Sequence, residues 1–175
     1  MNKIMLEYSE HMKTIHIPRW NELPDVDLYK DQVVELVERY VRPLSTDEDK
    51  IITPSMINNY VKWKLVPPPN RKKQYSRTHL AYFIVVTTFK TLFSLNQIEK
   101  GISQQIVVKG PEKAYDDFCE RIELCLKSVA SSVSSNAKLE LPLIDTEAHE
   151  LYLSIASMAK ASQLMVIKRM ELRKE

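Results

Sequence analysis

The sequence predicts an all-α protein, and three observations carry that reading. Only two glycines occur in 175 residues, far below the usual ~7%, and tight hairpins and phosphate-cradling loops both lean on glycine. Apolar residues recur at three- and four-residue steps along several stretches, as on one face of a helix. Nine prolines fall almost entirely at the joints between those stretches, where a missing N–H and a fixed φ end a helix. A hydrophobic content of 44% with 27% charged residues is that of a folded globular chain.

Residues 1–24 are expected to form a weakly ordered arm, because Ile17-Pro18-Arg19-Trp20-Asn21-Glu22-Leu23-Pro24 cannot be regular helix. Trp20 should pin that arm on the body, since one large ring contributes much burial even from an extended segment. A first helix is expected from Leu28 to Val41, with Asp27 as N-cap and Val33, Leu36, Val37 and Tyr40 at helical spacing; Pro43 stops it. Arg42 to Ile52 reads as a polar connection. The next helix has Thr53 as cap and Pro54 at the first helical position, where no N–H partner is needed. Ile57, Tyr60, Val61 and Leu65 make its apolar stripe, with Ser55, Asn58, Asn59 and Lys62 towards the other side, and it ends before Pro67-Pro68-Pro69. A short basic loop, Asn70 to Tyr75, follows. Ser76 caps a long helix from Arg77 to about Leu92 that carries Leu80, Phe83, Ile84 and Thr87, and Ser94 caps a short one with Leu95, Ile98 and Ile102.

Beyond Pro111, Tyr115, Phe118, Ile122, Cys125, Val129 and Val133 recur at three- and four-residue steps, and after a break around Ser135 to Asp145 so do Leu151, Ile155, Met158, Ser162 and Met165. These predict two amphipathic helices of about six turns each, longer than the ~11–12 residue average, suited to a helical hairpin or an intersubunit coiled coil. The organisation expected is an N-terminal arm (1–17), a helical head (18–105) and a C-terminal helical, dimerising region (106–175).

Several function classes are set aside. Glu7 and Glu10 interrupt the N-terminus, which does not read as a signal peptide. The longest apolar run, Leu80 to Val86, cannot span a bilayer, so a cytoplasmic protein without membrane association is expected. Cys119 and Cys125, six apart on a helix, read as buried thiols of a reducing compartment. His11, His16, His79 and His149 are scattered, and no zinc spacing, Walker loop or nucleophile elbow occurs. His79 is expected on a helix surface or half-buried, and the pairs Glu120/Glu123 and Glu147/Glu150 on a solvated face. No cofactor and no enzymatic activity are expected.

Charge gives the functional lead. Between Lys50 and Ile98 stand eight basic residues (Lys50, Lys62, Lys64, Arg71, Lys72, Lys73, Arg77 and Lys90) and no acidic one. The net charge of +2 thus splits into +8 inside this window and −6 outside it, since 17 of the 25 basic residues face all 23 acids there. Local positive potential on a near-neutral protein favours a polyanion. Asn pairs bidentately with an adenine edge in the major groove, Ser and Thr bond phosphate or bases, and nearby Lys and Arg hold the backbone. A capped helix exposing Ser55, Asn58, Asn59 and Lys62, then a basic loop, then a bracing helix, is the order of a winged helix-turn-helix. The alternative is a non-enzymatic protein-interaction module whose basic face meets an acidic partner.

Ile57-Asn58-Asn59-Tyr60-Val61-Lys62-Trp63-Lys64-Leu65-Val66-Pro67, then Lys72-Lys73-Gln74-Tyr75-Ser76, then Leu92-Phe93-Ser94-Leu95-Asn96-Gln97-Ile98 resembles the MerR-type regulators over about 46 residues without a gap. Their pattern runs L-R-Y-Y-E-x-x-G-L-L-P, Y-R-x-Y-S and G-F-S-L-x-x-I. Asn58 and Asn59 stand at its Arg and Tyr, while Lys64 and Leu92 replace two glycines. Pro18 to Pro24 with Thr53 to Lys62 also looks like the bacterial domain-of-unknown-function family 1836. The MerR resemblance implies that Tyr60 and Lys73 take phosphate-contacting or helix-bracing places. It implies a MerR-like winged helix-turn-helix with a C-terminal pair of long amphipathic helices, acting as a dimeric transcriptional regulator on a palindromic site in double-stranded DNA. The contact set expected is Ser55, Asn58, Asn59, Tyr60, Lys62, Lys64, Arg71, Lys72, Lys73 and Arg77.

Overall fold

The computed structural model describes residues 3–45, 51–139 and 148–172, so Lys50, most of the acidic part of the 42–52 connection and most of the break near 140 lie outside the described residues. The architecture is all-α. Its helices are α1 (Lys3–Met12), α2 (Lys30–Val41), α3 (Pro54–Lys62), α4 (Arg77–Phe89), α5 (Leu95–Lys109), α6 (Pro111–Ser135) and α7 (Ala148–Glu171). Strand-like pairing among the described residues amounts to an isolated antiparallel bridge between Leu28 and Tyr75. Two compact units form: Pro18–Asp117, and Met1–Ile17 together with Phe118–Glu175.

In the Pro18–Asp117 unit the core helix is α4, where Leu80, Ala81, Phe83, Ile84, Val86, Thr87, Thr88 and Phe89 are all buried. A helix apolar on nearly every side must be enclosed, and α2 and α5 both pack on α4. α2 starts at Lys30, two residues later than its spacing suggested, because Leu28 is extended and engaged with Tyr75. Tyr29, not Asp27, occupies the cap, and its N–H donates to Gln32 Oε1 at 2.8 Å. Val33, Val37 and Val41 are buried while Leu36 and Tyr40 are half-buried. α4 stops at Phe89, short of Leu92. α5 is longer than expected, with a reciprocal cap in which Gln97 N–H donates to Ser94 Oγ and Ser94 N–H to Gln97 Oε1. Gly110, at φ 78, separates α5 from α6. The pinning expected of Trp20 is observed: its N–H donates to Asp116 Oδ1 at 2.7 Å, its ring meets Tyr115 edge-on at 6.3 Å, and Tyr115 Oη donates to the Pro18 carbonyl.

In the other unit the expected weakly ordered arm contains a helix. Met5, Ser9 and Met12 of α1 are buried, and α1 packs on α7. Lys168 lies over the Tyr8 ring at 5.6 Å, and burial, then the nearby Glu171 charge, pushes the Tyr8 phenol up to about 12. Ile17 N–H donates to Glu123 at 2.7 Å and Glu150 is buried beside Arg121 at 3.4 Å, so neither carboxylate belongs to the solvated face expected of it. Cys119 and Cys125 are buried, and burial raises the Cys125 thiol to about 11, with Arg121 opposing. On α7 the expected stripe is displaced. Met158 and Met165 are buried, but Leu151 and Ile155 are exposed, and Ser154, Ser157, Ala161 and Leu164 face inwards instead. Small side chains (Ser154, Ser157 and Ala161) thus share the inward face with Met158, Leu164 and Met165, while Leu151, Tyr152, Ile155 and Val166 are exposed.

One buried charge ties α5 to α6. The Asp117 carboxylate accepts from Lys109 Nζ at 2.5 Å and from Lys113 Nζ. Burial alone would raise its pKa, but the two ammonium groups outweigh burial and hold it below the usual 3.8. A depressed folded-state pKa gives stability that is present above the unfolded value and lost as pH falls through the folded one. Asp117→Asn is therefore expected to lose about 1–3 kcal/mol at neutral pH in urea titrations, and to show a weaker loss of stability than the wild type on acidification below pH 3.8.

Candidate nucleic-acid interface

The site is built on α3. Thr53 Oγ1 accepts from Met56 N–H at 3.1 Å, and Pro54 opens the helix. Ile57 and Tyr60 point inwards and Val61 is half-buried, whereas Ser55, Asn58, Asn59 and Lys62 are exposed. The far end closes with Lys64 N–H donating to the Val61 carbonyl at 3.0 Å and Leu65 N–H to the Tyr60 carbonyl at 2.9 Å. This is the Schellman arrangement, in which the residue after the C-cap is left-handed and usually glycine. Here it is Lys64, at φ 59. Buried Leu65 and Tyr60 form the apolar pair that accompanies the motif.

Tyr60 is 4% exposed, its ring lies 6.5 Å from Phe83, and burial pushes its phenol up to about 12. Its place is therefore that of a helix brace. Arg77 is also occupied: its guanidinium is 3.4 Å from Asp25 and 5.9 Å above the Trp20 ring. His79 is half-buried, within the expectation for it. Its Nδ1 accepts from Ser76 N–H at 3.0 Å, which leaves the proton on Nε2 to donate to the Pro68 carbonyl at 3.1 Å.

The basic loop is organised by Asn70. Its Oδ1 accepts from Lys72 N–H and Gln74 N–H, both at 2.9 Å, and its carbonyl accepts from Lys73 N–H at 2.8 Å. Its Nδ2 donates to Asp27 at 3.0 Å. Leu28 and Tyr75 exchange two 2.8 Å backbone bonds just after it. Arg71, Lys72 and Lys73 are all exposed, and Lys73 too is left-handed at φ 59.

Two residues escaped sequence reasoning. Lys30 Nζ donates to Asn58 Oδ1 at 2.7 Å, adding a cation to the outer face of α3 from outside the acid-free window. Trp63 is 57% exposed at the C-cap of α3, a position that the apolar spacing of the helix leaves unassigned. A groove of about 510 Å³ at the end of α3 is lined by Lys62, Lys64, Leu65, Pro67, Tyr82 and Glu99. Burial, then the Glu99 charge, raises the Tyr82 phenol.

These features define an all-α head that presents one capped helix and one braced basic loop. The chain belongs to the family described as Domain of unknown function (DUF1836), which matches residues 18–118. No curated protein and no solved structure matches it. Among the described residues no cluster of side chains could hold a metal ion, and no helix is long and apolar enough to cross a membrane.

Asn70→Ala removes four hydrogen bonds made by one side chain. Limited trypsin digestion is expected to cut after Arg71, Lys72 or Lys73 about tenfold faster in this variant, because local opening becomes easier.

Proposed function

We propose that the protein is a dimeric, sequence-specific regulator that reads double-stranded DNA with α3 and holds its backbone with the 70–73 loop, in the manner of a MerR-like winged helix-turn-helix. The observation that carries this is the pairing of an exposed Ser55, Asn58, Asn59 and Lys62 face with the exposed Arg71-Lys72-Lys73 loop, in a segment free of acids from Lys50 to Ile98. The left-handed backbone at Lys64 adds support, since the MerR pattern places glycine there. A dimer would use α7, whose exposed Leu151, Tyr152, Ile155 and Val166 lie at helical spacing with no charge among them. Exposed Trp63, between Lys62 and Lys64 at the end of α3, favours a second reading, a module that binds an acidic protein.

Salt dependence separates the two. A dimer making about three to four phosphate contacts per subunit should lose log affinity against log salt with a slope of about −5 to −7. An acidic protein has no condensed counterion atmosphere, so its dependence should be shallower. The double variant Asn58→Ala, Asn59→Ala should lose preference for its operator while keeping most of the slope. Absence of any duplex shift at low salt, with capture of an acidic protein, would favour the interaction module.

Dimerisation is tested separately. Tyr152→Asp with Ile155→Asp should weaken self-association by at least about a hundredfold, near 3 kcal/mol, in sedimentation equilibrium. Because both side chains are exposed, the monomer should keep its helical circular dichroism. Unchanged association would place the interface elsewhere.

A further inference from the structure

Three non-glycine residues among those described have positive φ: Lys64 at 59, Lys73 at 59 and Asn136 at 53. Asparagine is a usual occupant of the left-handed region, because its short polar side chain bonds locally. Lysine is not, and its Cβ meets the following carbonyl as any other would. Both lysines stand at turn positions that glycine fills without strain. Lys64 follows the C-cap of α3, and Lys73 N–H closes the turn on the Asn70 carbonyl. Lys64 precedes the Pro67-Pro68-Pro69 connection and Lys73 follows it, within the loop.

Packing does not account for either lysine. Both side chains are exposed, and among the described residues neither ammonium is paired with a carboxylate. Lys64 does lie near the negative end of α3, but Lys62 already supplies a cation in the last turn. Backbone strain without a packing return marks a site where a side chain serves something other than the fold.

We infer that Lys64 and Lys73 are phosphate anchors of the interface, held by the Schellman turn and the Asn70 loop in glycine-like conformations that reduce the stability of the chain. The inference rests on the DNA-binding reading and adds to it a division of labour. α3 offers the polar side chains that discriminate bases, and two strained positions flanking the proline connection fix its register on the backbone.

The experiment uses the full chain with Lys64→Gly and Lys73→Gly, singly and together, and with Lys100→Gln on α5 as a control for loss of an exposed charge. Each glycine variant should raise the thermal midpoint by about 2–4 °C. Each should also weaken specific and random duplex alike and make the salt slope shallower by about 0.9 for every phosphate contact removed. Lys64→Asn and Lys73→Asn, neutral and tolerant of the same φ, should give the same loss of slope. Lys100→Gln should leave the slope unchanged. If the wild type shifts duplex and the glycine variants keep its slope, the inference is overturned while the DNA-binding reading stands. A lowered midpoint in the glycine variants would also overturn it, since the lysines would then serve the fold. A wild type that shifts no duplex at low salt removes the reading and the inference together.

Discussion

Phe83 has no exposed surface, and two tyrosines from different parts of the chain rest on it. Tyr60 approaches from α3 with ring centroids 6.5 Å apart, and Tyr75 approaches edge-on at 5.8 Å from the end of the basic loop. The helix and the loop of the candidate interface therefore share one aromatic support, and neither can shift far without disturbing the other. Such contacts contribute about 0.5–1.5 kcal/mol each beyond the area they bury. The rest of the unit follows from keeping that ring dry. α4 has almost no polar side, so α2 and α5 turn their apolar stripes towards it and present only their outer faces to water.

What was legible in the sequence is what short-range chemistry fixes. Thr53 and Ser94 accept from the N–H three residues on, as their residue types require, and α3 ends ahead of the Pro67 to Pro69 run. The exposed side of α3 was legible too, because Asn58, Asn59 and Lys62 interrupt an apolar repeat at helical spacing. α1 was not, since its buried residues include Ser9, whose hydroxyl is satisfied within the helix by the Met5 carbonyl. A serine in a helix interface gives no hydrophobic period to read. The same cause displaced the face of α7, where Ser154 donates to the Glu150 carbonyl and thereby enters the core. Lys30 was missed because its role depends on meeting Asn58 across 28 positions, which no local pattern encodes.

The arrangement also shows how charge is divided. The Pro18–Asp117 unit keeps a few cations as structural partners: Arg77 is held between Asp25 and Trp20, and Lys109 and Lys113 neutralise Asp117. Lys62, Lys64, Arg71, Lys72 and Lys73 remain directed at solvent. The first group draws its carboxylates from Asp25 and Asp117, whereas the second stands in a stretch that contributes no acid of its own. An even scatter of acids along the chain would have given surface pairs worth little to stability, and would have cancelled the local potential.

The two backbone bonds between Leu28 and Tyr75 make a single fixed point from residues far apart in sequence. They close a ring of chain that holds α2, the connection after it and α3. The entropy of closing a ring grows only as the logarithm of its length, about 0.6 kcal/mol for each doubling. Lengthening or shortening the segment between α2 and α3 by several residues thus changes little in the free energy of closure. The end of the basic loop keeps its anchor while that segment varies, so the fold can absorb insertions at one point of the ring without moving the cations at another.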